Sequence, residues 1–152
     1  AGGAGADGEG FSDEDLALSG KQWGNGNIPE AQADGLFKDL HFAYDSSAIT
    51  EEHRQELRAN AEILVGDPSI HAEIEGHCDK RGTNEYNLAL GEERAKAVAS
   101  ILVSYGVSPS QLSTISYGEE IPIDPGNSET AFAQNRRVHF ALFRDNQGNQ
   151  RR

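Results

Sequence analysis

The sequence predicts one α/β domain of the two-layer α+β kind, in which helices pack on a mixed four-stranded sheet. Strand and helix patterns alternate in the order β-α-β-α-β-α-β, which is compatible with helices on one face of a mixed sheet. The hydrophobic periodicity begins only after residue 35. A length of 152 residues suits one such domain, predicted over residues 36–144, with additional segments at its ends.

The first half of the domain contains a strand, a helix and a second strand. Residues 40–44 alternate between large apolar and other side chains, which predicts a short strand. Thr50 can cap a helix whose apolar side chains recur every three or four residues, and the Gly-Asp-Pro run at 66–68 ends it. Alternation over residues 70–75 then predicts a strand that is half buried against the helices.

The second half contains two helices and two strands. An apolar stripe predicts the longest helix over about residues 85–105, and Gly106 suits the position just beyond its end. Residues 113–117 are predicted as the third strand. Ser128 caps a shorter helix over residues 128–135, and alternation over residues 138–142 predicts the last strand.

Charge and composition exclude several classes of function. The formal net charge is −12, and sequence-independent binding to nucleic acid needs clustered Lys and Arg to neutralise phosphates. No apolar run approaches the roughly 20 residues that cross a bilayer. The single cysteine, Cys78, excludes an internal disulfide framework and any multi-cysteine zinc site.

Both ends of the chain differ in composition from the domain. Residues 1–35 hold nine of the 17 glycines and seven acidic residues against one base, which predicts a flexible acidic linker. Residues 145–152 are polar and are predicted to form a tail. A long spacer suggests a domain held at a distance from an anchor on its N-terminal side.

The densest polar region runs from Glu75 to Asn87 and leads into the longest helix, which carries Arg94 two turns in. The free N–H groups at a helix N-terminus favour an anionic group. Arg94 can present a planar fork to a carboxylate, and Asp79 can accept from an ammonium. Together they would match an amino-acid zwitterion. The alternative, that Asp79 braces its loop and pairs with Arg94, is favoured on spacing alone because such internal ion pairs are common.

Two enzymatic alternatives are weaker. His77 and Cys78 are adjacent, but neighbours along a chain point in different directions, so a Cys–His nucleophile is disfavoured. His71, Glu73, Glu75 and His77 recur at every second residue and could share one strand face as metal ligands do. A straight row converges poorly on one ion, so we interpret this row as the solvated face of a half-buried strand. The sequence predicts no catalytic centre, metal or cofactor.

The polar region also resembles a family signature. The run IEGHCDKRGTNEYNLALGEERAKAV, residues 74–98, is similar to the signature of the OmpA-like peptidoglycan-binding domains, and within them to the peptidoglycan-associated lipoproteins of Tol–Pal systems. Three further segments resemble the family in the right order: FAYD at 42–45, SYGEE at 116–120 and QNRRV at 134–138. The resemblance covers roughly residues 37–143.

The resemblance implies a fold and a ligand. The family domain is α/β, with helices against a mixed sheet, and it binds the peptidoglycan stem peptide non-covalently. Its ligand is the meso-diaminopimelate side chain, whose free end is an amino-acid zwitterion. The principal contacts of the family fall here on Asp79 and Arg94. Positions that resemble secondary contacts are Asp45, Arg81, Thr83, Asn87 and Leu90.

The resemblance also implies a cellular role for a non-enzymatic protein. It would tether the outer membrane to the cell wall, facing the periplasm from an N-terminal lipid anchor that is absent from this chain. A propeller protein of the Tol system, located in the periplasm, would be its partner. There are two departures: Cys78 for the usual Thr or Ala, which should leave binding intact, and Glu93 for an arginine. Glu93 and the tail to Arg152 keep an alternative open. The domain would then be a structural or partner-binding module whose peptidoglycan binding is lost or altered.

Overall fold

The computed structural model describes residues 36–144, and the expectations for residues 1–35 and 145–152 lie outside them. The described chain forms four strands and three α-helices in the predicted order. They are β1 (Leu40–His41), α1 (Glu51–Gly66), β2 (Ile70–His77), α2 (Asn84–Ser104), β3 (Leu112–Gly118), α3 (Glu129–Asn135) and β4 (Arg137–Arg144). No helix among these residues is long and apolar enough to cross a membrane.

The four strands form one mixed sheet, as predicted. Their spatial order is β1-β4-β2-β3, with β2 and β3 parallel and β4 antiparallel to both β1 and β2. Helix α2 packs on β2 and β3, and α1 packs on α2. The core between these layers is built from aliphatic side chains such as Leu57, Leu64 and Leu102, all fully buried. Burial of each contributes about 1.5–3 kcal/mol.

The predicted caps are found where the sequence places them. The Thr50 hydroxyl accepts the N–H of His53, and the His53 ring accepts the N–H of Thr50, which closes a capping box. Ser128 caps α3 through the N–H of Ala131. Gly106 follows α2 with φ of 107°, a left-handed conformation that favours glycine.

Strand β1 is shorter than predicted. It contains Leu40 and His41, whereas the alternation pattern extends to Tyr44. The chain turns after this strand, and Asp45 in that turn takes a left-handed conformation with φ of 55°. The carbonyl groups of Phe42 and Ala43 accept N–H groups from arginine side chains instead of from a neighbouring strand.

The predicted solvated face of β2 is wrong at both of its ends. His71 and His77 are buried, while Glu73 and Glu75 are half-buried. His71 lies opposite Phe143 of β4, and the His77 ring stacks on Tyr117 with centroids 5.4 Å apart. Neighbouring strands therefore cover these rings. No group of three or more His, Cys, Asp or Glu residues within 36–144 is arranged to hold a metal ion.

A half-buried ionic cluster joins β4 to the residue before β1. The Nδ1 atom of His139 lies 2.8 Å from a carboxylate oxygen of Asp39, and Nε of Arg137 lies 3.4 Å from the other. The hydrogen bond with Asp39 raises the pKa of His139. Burial raises the pKa of Asp39, but the hydrogen bond from His139 and nearby positive charges outweigh it and the net pKa is lowered.

This pair predicts a pH dependence of stability. Because the folded-state pKa of His139 is raised, its stabilisation is fully present below the unfolded pKa of about 6.5 and is lost as pH rises through the folded pKa. We expect a loss below about 1 kcal/mol, since the pair is partly exposed. Urea unfolding at pH 5.5 and 8.5 should show a smaller pH difference in His139→Asn and Asp39→Asn than in wild type. Equal differences in all three proteins would contradict the assignment.

Candidate functional site

The candidate site lies where β2 ends and the chain enters α2. The connecting loop, residues 78–83, turns at Gly82, whose φ of 102° favours glycine. Thr83 then caps α2, and its hydroxyl accepts the N–H of Tyr86 at 3.1 Å. The loop therefore sits against the positive end of the α2 dipole, as the sequence predicted.

A cavity of about 50 Å³ opens beside this loop. Six of the seven residues predicted from the sequence lie around it, and only Thr83 does not, because its side chain is used as the helix cap. The lining residues are Tyr44, Asp45, Cys78, Asp79, Arg81, Gly82, Tyr86, Asn87, Leu90, Arg94 and Arg136. Acidic and basic side chains thus face one another across a small space.

Asp79 is buried and bound by two arginines. Its Oδ1 accepts the backbone N–H of Arg81 at 3.0 Å and the Nε–H at 3.1 Å, and its Oδ2 accepts from Nη2 at 2.8 Å. Arg136 adds a contact from Nη1 to Oδ2 at 3.4 Å. Burial raises the pKa of Asp79, but the hydrogen bonds from Arg81 outweigh it, and the net pKa is lowered. Asp79 is therefore an anion at neutral pH.

Asp79 braces its own loop through Arg81, as the alternative expected, but Arg94 does not form an ion pair with it, so that part of the alternative is wrong. Its guanidinium is fully buried and donates to three backbone carbonyls: Ser46 at 2.8 Å, His77 at 2.9 Å and Ala43 at 3.1 Å. Burial lowers the pKa of Arg94, although an arginine remains charged. The side chain joins the end of β2 to the turn after β1, so most of its donors are occupied within the protein.

That turn presents Asp45 to the cavity. Asp45 is exposed and accepts a hydrogen bond from the hydroxyl of Tyr86 on the first turn of α2. The hydrogen bond to Asp45 raises the pKa of Tyr86, with smaller contributions from burial and from nearby Glu93. Glu93 itself is exposed and does not line the cavity. Its negative charge acts on the rim of the site.

Arg81 lies over two aromatic rings beside Asp79. Its guanidinium carbon lies 4.3 Å from the ring centroid of Tyr44 and 4.3 Å from that of Phe132. Nη2 also lies 3.9 Å from the Glu129 carboxylate. Cation–π contacts of this kind are made more often by the planar guanidinium of arginine than by the ammonium of lysine.

Asn87 fixes the shape of the loop from inside α2. Its buried amide donates to the carbonyls of Asp79 at 3.4 Å and Arg81 at 3.1 Å, and to the carboxylate of Glu119. Leu90, one turn further along α2, is buried and supplies an apolar part of the cavity wall. Both side chains lie on the helix face that meets the loop.

Cys78 is a buried thiol that packs against α2, between Asn87 and Arg94. It donates to the carbonyl of Asn87 at 3.2 Å, and its sulfur lies 3.6 Å from Nη1 of Arg94. Burial raises the pKa of Cys78 to about 11, so the thiol is protonated and poorly nucleophilic at neutral pH. The environment thus gives no support to a cysteine nucleophile.

Five lining residues were not among the predicted site residues: Tyr44, Cys78, Gly82, Tyr86 and Arg136. Arg136 is 57 residues from Asp79 along the chain, and β-sheet register brings them together. Because Val138 of β4 pairs with Gly76 of β2, the start of β4 lies beside the end of β2. For Arg136, the sequence signal was the segment 134–138, which resembles the family, but the resemblance assigned no role to its arginines.

Comparison with known proteins identifies the family. The OmpA family profile matches residues 41–136. The chain is 45% identical to a peptidoglycan-associated lipoprotein of Pseudomonas putida, over 76% of this chain and 69% of the relative. It is 39% identical to a protein of the same name from Haemophilus influenzae, over 86% of this chain and 85% of the relative.

Solved structures agree with this fold. The crystal structure of the peptidoglycan-associated lipoprotein from Burkholderia pseudomallei superposes with a TM-score of 0.68 at 38% identity, over 69% of this chain and 89% of that one. The C-terminal domain of Helicobacter pylori MotB superposes with a TM-score of 0.66 at 28% identity, over 75% of this chain and 90% of that one. With a profile that matches well over half of its length, the chain belongs to the OmpA family.

Proposed function

We propose that this domain binds the stem peptide of peptidoglycan non-covalently, through the amino-acid zwitterion at the free end of diaminopimelate. The observation that carries the proposal is the cavity itself, where Asp45 and Asp79 face Arg81 and Arg94. A zwitterion needs one acceptor for its ammonium and one donor for its carboxylate at short range. Relatives named as peptidoglycan-associated lipoproteins support the choice of ligand.

The contacts of Asp45, Asp79 and Arg94 support a different role in ligand binding for each of them. Asp45 is the most accessible acceptor for an ammonium, because it is exposed and is oriented by Tyr86. Asp79 supplies a second, buried negative charge. Arg94 acts mainly by its positive charge and by holding the turn that carries Asp45, since its donors already serve three carbonyls. Binding involves no bond making or breaking.

The proposed cellular role is a tether between the outer membrane and the cell wall. A lipid anchor on the N-terminal side would hold the chain at the outer membrane, with this domain facing the periplasm. The acidic residues 1–35 would then span the distance to the wall. Participation in a Tol–Pal system, with a periplasmic propeller protein as partner, belongs to the same proposal.

Calorimetric titration with a diaminopimelate stem peptide tests the proposal. We expect binding by the wild type, and at least about 10-fold weaker binding by Asp79→Asn and Asp45→Asn, because each loses a charged acceptor. Glu62→Gln, an exposed charge change on α1, should bind as the wild type does. Rising salt should weaken binding, since opposite charges provide the attraction. Circular dichroism confirms that each variant is folded.

One observation favours the second candidate, a partner-binding module without peptidoglycan binding. The carboxylate of Asp79 and most donors of Arg94 are occupied by internal partners. A folded wild type that binds neither the stem peptide nor purified cell wall would favour that candidate and contradict the tether.

A further inference from the structure

The carboxylate of Asp79 is saturated by the protein's own donors. It accepts three N–H groups from Arg81 and one from Arg136. A carboxylate offers about four lone-pair sites, so no site remains for an incoming ammonium. A cationic ligand therefore reaches Asp79 only when some of these internal donors leave.

Arg81 is the partner that can leave. Its side chain is about one-third exposed, whereas that of Arg136 is 9% exposed and also donates to the carbonyl of Phe42 at 2.8 Å. The rings of Tyr44 and Phe132 on Arg81 provide contacts that do not depend on Asp79. A small movement away from Asp79 can keep the guanidinium in contact with the rings while freeing its forked N–H groups.

We propose that a zwitterionic ligand inserts into the Arg81–Asp79 ion pair, and that this exchange makes Arg81 a specificity-determining residue of the site. The ligand's ammonium takes the acceptor sites that Arg81 vacates on Asp79. The ligand's carboxylate receives the freed guanidinium fork of Arg81. The inference rests on the proposed function and adds to it the basis of discrimination between stem peptides.

The exchange is energetically favourable only for a ligand that carries both a positive and a negative charge. A lysine side chain has the ammonium but no carboxylate, so its entry would break the Arg81–Asp79 pair and leave Arg81 with only the exposed Glu129 carboxylate, 3.9 Å from Nη2, as an anionic partner. Opening an ion pair whose carboxylate is buried is unfavourable unless the carboxylate and the cation both find new partners. The free end of diaminopimelate provides a new partner for both Asp79 and Arg81, whereas the lysine side chain provides one for Asp79 only.

Arg81→Gln tests the exchange by its effect on selectivity. The wild type and the variant are titrated calorimetrically with a diaminopimelate stem peptide and with its lysine equivalent. In the variant we expect diaminopimelate binding to weaken by about 10- to 100-fold, because a charge-assisted partner of the carboxylate is lost. Lysine-peptide binding should stay the same or tighten, because Asp79 is then open. The selectivity ratio should therefore fall at least about 10-fold.

Lys80→Gln is the matched control. Lys80 is the neighbouring cation, but it is exposed and donates to the carbonyl of Pro125 at 3.1 Å. Its variant should keep the wild-type ratio. The side-chain Nε–H resonance of Arg81 gives a second measurement, and it should shift with the diaminopimelate peptide and remain in place with the lysine peptide.

The outcomes separate this inference from the proposed function. Binding by the wild type with an unchanged selectivity ratio in Arg81→Gln would overturn the ion-pair exchange and leave the proposed function intact. An equal loss for both peptides would overturn it as well, because it would assign Arg81 a structural role only. Absence of wild-type binding to either peptide would overturn the proposed function itself.

Discussion

Gly76→Ala is expected to unfold the domain or to lower its free energy of unfolding by about 4 kcal/mol or more. A Cβ atom at Gly76 would lie 1.8 Å from the carbonyl oxygen of Gly91 on α2. The obstructing atom is backbone in the middle of a 21-residue helix, so the helix as a whole would have to move. Such a loss is comparable to the total stability of many domains.

Urea denaturation followed by circular dichroism measures this effect. Gly66→Ala is the matched control, because nothing lies within 4 Å of a Cβ placed there at the end of α1. That control should have a urea midpoint near or slightly above the wild type. A Gly76→Ala protein with the wild-type midpoint would show that α2 does not approach β2 as closely as described.

Arg94→Ala should be the second most damaging change, with a loss of about 3–5 kcal/mol. It removes the donors of three carbonyls, at Ala43, Ser46 and His77, and leaves a cavity in place of a fully buried side chain. Arg94→Lys should recover only part of the loss, because a single ammonium does not reproduce the planar arrangement of donors.

The measurement is again the urea midpoint, and the control is Arg58→Ala, at an exposed position on α1. Arg58 makes a surface ion pair with Glu51 at 3.7 Å and stacks over Tyr105, so its loss should be below about 1 kcal/mol. If Arg94→Ala kept wild-type stability while losing ligand binding, Arg94 would be a ligand contact and not a structural tie.

The local pattern predicted most of the fold. Thr50, Ser128 and Gly106 mark element ends because capping is a short-range interaction between neighbours in sequence. The early end of β1 could not be predicted in this way. It depends on Arg94 and Arg136, side chains about 50 and 90 residues away that bind the carbonyls after His41.

The part of the site that lies within one short stretch of sequence was predictable. Asp79, Arg81 and Asn87 lie within one motif, and the structure places them around one cavity. Their pairing was not predictable, because the choice of Arg81 over Arg94 as the partner of Asp79 depends on the loop's three-dimensional path. The burial of His71 and His77 likewise depends on what the neighbouring strands place opposite them.

The way arginine side chains hold residues 42–46 has a mechanical consequence. In the proposed tether, tension would enter from the N-terminal side, through a strand of only two residues. Arg136 donates a hydrogen bond to the carbonyl of Phe42, and Arg94 donates to the carbonyls of Ala43 and Ser46. Force would thus act on several hydrogen bonds close to the proposed stem-peptide site. We therefore expect residues 42–46 to resist stretching more than a two-residue strand alone would.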